Sequence, residues 1–257
     1  MPRRIILHAG FHKTGTSTVQ AFLRANRKTL MPVLAIRLKG QMQDLMRTTR
    51  QHSSQRDPFS LAQVAQAFDA VLADLPAMPK RTLLLSAEEL SGHMPGRPRV
   101  AHYAAPDLAE VYAATISARF PGIDTAFYFT TRDADTWLES AYWEHVKSSS
   151  MTMDLPDFVA GNRRSADLNQ VARQVQDATG CPVTCAPLDG ADGIIAPLLD
   201  LCGIPTDLQA KLTPVPPANT RLPHDVLLAL LDANRAYPDR TDRKAAKQAI
   251  LSQKATP

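Results

Sequence analysis

A chain of 257 residues with 44% hydrophobic and 21% charged residues can bury a sizeable core and has the composition of a globular protein. No apolar run approaches the roughly 20 residues that span a bilayer, so no membrane span is expected. The formal charge of +4 is modest, and the chain carries no aromatic-interleaved basic segment, zinc-ligand spacing or helix-turn-helix signature, so nucleic acid is not an expected partner.

In chain order, Met1-Pro2-Arg3-Arg4 begins like the basic part of a signal peptide, but the apolar run Ile5-Ile6-Leu7 is too short for one and reads as a first strand. Apolar strands are expected near residues 4 to 8, 82 to 86, 125 to 131 and 182 to 186. They alternate with helical patterns near 16 to 29, 61 to 75, 105 to 119, 133 to 149 and 166 to 179. Further helices are expected near 191 to 202, 223 to 235 and 240 to 252. Residues 31 to 58 and 90 to 106 read as irregular loops, the second broken by Gly92, Pro95, Gly96, Pro98 and Pro106. The alternation predicts a three-layer α/β/α fold with a central parallel sheet, in a single domain over 1–257 with a charged helical tail at about 238–257. Cys181, Cys185 and Cys202 lack a disulfide or metal-ligand pattern and read as reduced, buried thiols of a cytoplasmic protein; no metal site is expected.

The segment His12-Lys13-Thr14-Gly15-Thr16-Ser17 joins the first strand to the first helix. A strand that breaks at Ala9-Gly10 and restarts as a helix near Thr16 directs free backbone N–H groups and the positive end of the helix dipole at one spot, which suits phosphate or sulfate. Gly10 and Gly15 have the spacing of the P-loop G-x-x-x-x-G-K-[ST], but Thr16 stands where that pattern has its lysine, and the lysine is Lys13 instead. About one hundred residues on, the strand ending at Thr131 delivers Arg132, and Ser140 follows eight residues later on a helix. A guanidinium fork and a serine two turns along can close on one phosphate. Between them, Ser86-Ala87-Glu88-Glu89 follows a third strand at its carboxyl end, where open α/β sheets bind ligands. Glu88 and Glu89 can equally be acidic first-turn residues of a helix.

These motifs together resemble the family of sulfotransferases that use 3′-phosphoadenosine 5′-phosphosulfate (PAPS), in its bacterial and carbohydrate-type branch. HKTGTS is similar to the family's 5′-phosphosulfate loop, with His12 where a proline is common, and Arg132 with Ser140 matches its 3′-phosphate grip. Ser86-Ala87-Glu88 resembles its S-x-E segment, and the stretches 182 to 187, 198 to 204 and Ala218-Asn219-Thr220 are looser echoes. The resemblance implies a P-loop-like fold, a nucleotide site at His12, Lys13, Thr14, Gly15, Thr16, Ser17, Arg132 and Ser140, and catalytic roles for Lys13 and for Glu88 as general base. It further implies transfer of a sulfuryl group from PAPS to an acceptor hydroxyl, leaving PAP, with a sugar or glycolipid as the first acceptor class. The rival reading is a small-molecule kinase using ATP and magnesium, in which Glu88 mimics a magnesium-holding acid. Acceptor and oligomeric state stay open.

Two further features accompany the motifs. Between Arg24 and Arg56 stand eight basic residues (Arg24, Arg27, Lys28, Arg37, Lys39, Arg47, Arg50, Arg56) against one acid, Asp44. Such a stretch is either a solvated surface or a rim that draws in polyanionic ligands. Trp137 and Trp143 flank Ser140 at helical spacing, where packing of the helix on the sheet is the first reading and a contact to adenine the second.

Overall fold

The computed structural model describes residues 1–216 and 222–253, so the Ala218-Asn219-Thr220 segment lies outside the described residues. Strands are β1 (Arg4–His8), β2 (Leu34–Leu38), β3 (Thr82–Ser86), β4 (Asp124–Thr131) and β5 (Val183–Pro187). Helices are α1 (Thr16–Ala25), α2 (Arg27–Leu30), α3 (Gln43–Gln55), α4 (Pro58–Ala73), α5 (Ala105–Arg119), α6 (Ala134–Ser148), α7 (Leu155–Asn162), α8 (Leu168–Thr179), α9 (Ala196–Leu201), α10 (Thr206–Gln209), α11 (His224–Ala236) and α12 (Arg240–Gln253).

All strand pairs are parallel, in the order β2-β3-β1-β4-β5, with Ile6 facing Leu84 on one side and Ala126 on the other. Strand side chains alternate between faces, and the alternation sorts the core into two layers. Ile5, Leu7, Leu83, Leu85, Phe127 and Phe129 join the core under α3 to α6 and α8, whereas Ile6, Leu84, Ala126 and Tyr128 join the core under α1 and α9. The expected three-layer α/β/α sheet fold is therefore present. The connection after β1 passes to one face while those after β3 and β4 pass to the other, which opens a crevice beyond the carboxyl end of β1.

The expected strands 4 to 8, 82 to 86, 125 to 131 and 182 to 186 match within a residue or so. The span 31 to 58 does not match, since it holds β2 and α3 rather than a loop. β2 is an edge strand, half-buried in alternation, with Arg37 on its outer face. α3 buries Thr48, Thr49, His52 and Ser53, so polar residues fill core-facing positions and blur the helical pattern. His52 Nδ1 meets Ser60 Oγ at 2.9 Å and Ser53 Oγ donates to the Thr49 carbonyl at 2.9 Å, while His52 Nε2 lies 3.8 Å from Asp107 Oδ2, so these buried polar groups find partners within the fold, with only Nε2 left without a hydrogen bond. α7 was likewise not expected. α11 and α12 are tied to the end of α6 by Asn234 and Lys247, which donate to the Val146 carbonyl at 2.9 and 2.6 Å.

The cysteine reading needs correction, since Cys202 is buried, Cys181 half-buried and Cys185 exposed on the edge strand β5; all three are free thiols. Trp137 is fully buried and Trp143 nearly so, which is the packing reading. Among the described residues no helix is long and apolar enough to cross a membrane.

Candidate active site

The segment 9 to 15 runs from the carboxyl end of β1 to the first turn of α1. Lys13 and Gly15 hold left-handed backbone, with φ of 67° and 91°. At Gly15 a Cβ would stand 2.5 Å from Ile194 Cδ1 and 2.8 Å from Leu188 Cδ1, and at Gly10 it would stand 2.4 Å from Thr16 Cγ2. A side chain at Gly15 would meet both a positive φ and these neighbours, and one at Gly10 would have to displace Thr16 and His8, so the two glycines favour tight closure of the loop. Gly15 precedes α1 with no side-chain cap, and while the Thr18 N–H donates to the Gly15 carbonyl at 2.9 Å, the N–H groups of Thr16 and Ser17 are left for another acceptor. This is a cradle an anion fits.

The loop is anchored on three sides. The buried Thr14 hydroxyl donates to the Phe11 carbonyl at 2.6 Å and, its one proton spent, accepts from Thr130 Oγ1 on β4 at 2.6 Å. Thr14 thus offers an anion its backbone only. His12 has its N–H donated to Tyr103 Oη at 3.0 Å and its carbonyl taken by Trp137 Nε1 at 2.9 Å. Its backbone is committed, and His12 serves the loop as an anchor rather than through a free N–H. Beneath the loop, His8 Nδ1 meets Ser86 Oγ at 2.8 Å, and His8 Nε2 is buried without a partner.

Arg132 closes on the same loop. Its Nη1 reaches the Lys13 carbonyl at 3.4 Å and its Nε reaches Thr136 Oγ1 at 3.3 Å, while Asp133 caps α6 by accepting from the N–H groups of Asp135 and Thr136. On α6, Trp137 touches the His12 carbonyl and Glu144 Oε2 pairs with Lys13 Nζ at 3.1 Å. Half-buried Ser140 lies between these two contacts at helical spacing, on the stripe that faces the loop. The structure thus brings Lys13, Thr14, Gly15, Thr16, Ser17, Arg132 and Ser140 to one side of the crevice.

Glu88 opens the 3-10 turn after β3 on the other side. Gln20 Nε2 of α1 donates to its Oε2 at 2.9 Å and Lys39 Nζ lies 3.7 Å from its Oε1. Burial works to raise this carboxyl, but His12, its own backbone N–H, Lys39 and Gln20 outweigh it and hold the group below the ordinary glutamate range. The shift is opposite to the upward one that base strength alone would favour. Glu89 is a different group: it pairs with Lys39, and with Arg50 at 3.6 Å. The His12 imidazole is lowered to about 4 by burial, against the charge of Glu88 and reinforced by His93, Arg97 and Lys39, so it is neutral at pH 7. Gln20, Lys39, Arg50, Arg97, Tyr103 and Glu144 were not singled out as site residues from sequence. The signal that touches them is the basic stretch 24 to 56, which supplies Lys39 and Arg50.

No protein-family model matches the chain, and no curated protein matches it. Among solved structures, a sulfotransferase from Alicyclobacillus acidocaldarius is similar at a TM-score of 0.49 and 15% identity, covering 96% of each chain. Likeness at that level is one of chain path and assigns no chemistry.

Proposed function

We propose that the protein is a PAPS-dependent sulfotransferase that transfers a sulfuryl group to an acceptor hydroxyl, with a sugar or glycolipid as the first acceptor class. The observation that carries the reading is the docking of Arg132 on the carbonyl of Lys13, which joins an uncapped helix start and a guanidinium fork in one crevice. A nucleotide with a phosphosulfate at one end and a phosphate at the other asks for two such anion grips. PAPS, when bound, supplies the sulfuryl group and a phosphate leaving group.

In this reading the backbone N–H groups of Thr14 to Ser17, with the hydroxyls of Thr16 and Ser17, hold the 5′-phosphate, and Arg132 and Ser140 hold the 3′-phosphate. Lys13 puts a cation where negative charge develops on the leaving oxygen, an electrostatic preorganisation that Glu144 steadies by fixing the ammonium group. Glu88 takes the acceptor proton. Its depressed pKa makes it a weak base, but one that is ionised at neutral pH and held in place by Gln20 and Lys39. Thr16 in place of the P-loop lysine weighs against the kinase reading.

Calorimetry with PAP in the absence of metal, against ATP and ADP with magnesium, tests the proposal. Micromolar PAP affinity that drops at least about tenfold in Arg132→Ala is expected, a loss of about 1.4 kcal/mol or more. A magnesium-ATP response with no response to PAP would move the protein to the kinase class.

A further inference from the structure

Arg97 is a half-buried guanidinium with no hydrogen bond or ion pair among the described residues, and its Nε is buried without an acceptor. An orphaned buried donor is destabilising and calls for an explanation. Its neighbours sharpen the question. Lys13 has Glu144, Lys39 has Glu88 and Glu89, and Arg50 has Glu89, so these three cations each have a carboxylate at ion-pair distance, which Arg97 lacks. Arg97 lies close enough to add its charge to that felt by His12 and His93, and itself feels the Glu144 carboxylate and, against it, Arg50.

The segment that carries Arg97 is built to hold it still. Gly96 N–H donates to the Val100 carbonyl at 3.0 Å and Val100 N–H donates to the Arg97 carbonyl at 3.0 Å, closing a tight turn. Gly96 has φ of 94°, and a Cβ there would stand 2.5 Å from Phe158 Cε2 and 3.0 Å from His145 Nε2. His145 Nε2 in turn meets the Pro95 carbonyl at 2.7 Å. The turn is thus clamped to α6 and α7. A rigid turn that presents a guanidinium with a buried Nε and no acceptor at hydrogen-bond distance has the form of a binding device rather than of a packing residue.

We infer that Arg97 forms an oxyanion subsite of the crevice that takes a carboxylate, sulfate or phosphate group of the acceptor. The acceptor is thereby an anionic molecule carrying a free hydroxyl. Naming the ligand as the acceptor rests on the sulfotransferase reading; the subsite itself does not.

The test uses the whole protein saturated with PAP, titrated with sodium sulfate against sodium chloride at matched ionic strength, with the His93 ring resonance as reporter. A saturable sulfate shift is expected in the wild type. Its midpoint should rise at least about tenfold in Arg97→Gln and stay within about twofold in Arg99→Gln, an exposed arginine of the same turn. Arg97→Gln should melt no lower than the wild type, because it removes a buried donor that has no acceptor. A melting temperature lowered by several degrees would assign Arg97 a structural role and overturn the inference, as would the absence of a saturable shift or an unchanged midpoint in Arg97→Gln. Failure of PAP to bind, with an Arg97-dependent sulfate response intact, would remove the proposed function and leave the subsite standing.

Discussion

His8 makes the protein acid-labile at a place where the cause can be worked out. Its ring is fully buried between Ser86, Tyr128 and the anion loop, and burial lowers its pKa to about 4, against a smaller upward pull from Glu88. In the unfolded chain the same group titrates near 6.5, so between those values the unfolded state binds the extra proton. Stability from this group is therefore complete above about pH 6.5 and is lost as the pH falls toward 4. Integrating the linkage from pH 7 to pH 5 gives a loss of about 2 kcal/mol from His8 alone. Urea midpoints of wild type and His8→Asn at pH 7 and pH 5, read by coincident circular dichroism and tryptophan fluorescence, measure it. The variant is less stable at pH 7, but its drop between the two pH values should be smaller than that of the wild type by about 2 kcal/mol. Equal drops would refute the buried neutral imidazole.

Lys13→Ala should lower turnover by well over tenfold, more than about 1.4 kcal/mol of transition-state stabilisation, in a transfer assay with any accepted hydroxyl; a change within tenfold would remove its assigned role. Glu88→Gln keeps a polar group near Gln20 and should lower kcat by about 100-fold or more while PAP affinity stays within about twofold. Loss of PAP affinity instead would make Glu88 a nucleotide-site residue. Gly15→Ala meets both a positive φ and the Ile194 and Leu188 side chains, so it should cost about 1 to 3 kcal/mol and several degrees in thermal melts; a melt within a degree of wild type would show that the loop gives way.

What could be read from the sequence follows how local the determining physics is. β1, β3 and β4 are buried on both faces, so each is a continuous apolar run whose signal needs no partner. β2 and α3 lack that signal, because an edge strand buries one face and α3 places Thr49, His52 and Ser53 in the interior, where only tertiary hydrogen bonds make them tolerable. The site divides in the same way. The glycines, Lys13 and Arg132 belong to short strand-loop-helix units and keep their spacing in the chain. Glu144, Lys39, Arg50 and Arg97 are brought to the crevice from four separate segments by the sheet order, and no spacing along the chain records that meeting.

The electrostatics of the crevice separate acid sensitivity of the fold from that of the proposed chemistry. Glu88 is held below the ordinary glutamate range, and the His12 imidazole beside it is lowered to about 4, so neither changes its charge between pH 7 and pH 5. His8, buried beneath the loop, shares that lowered value of about 4 with His12 and with His93, and all three imidazoles add to the linkage to unfolding across that interval. Activity lost on mild acidification is thus expected to track the unfolded fraction, while turnover per folded molecule stays level. The two burials have different consequences because Glu88 is stabilised in its charged form by Lys39 and Gln20, whereas His8 has a hydroxyl on one nitrogen and nothing on the other to hold a charge.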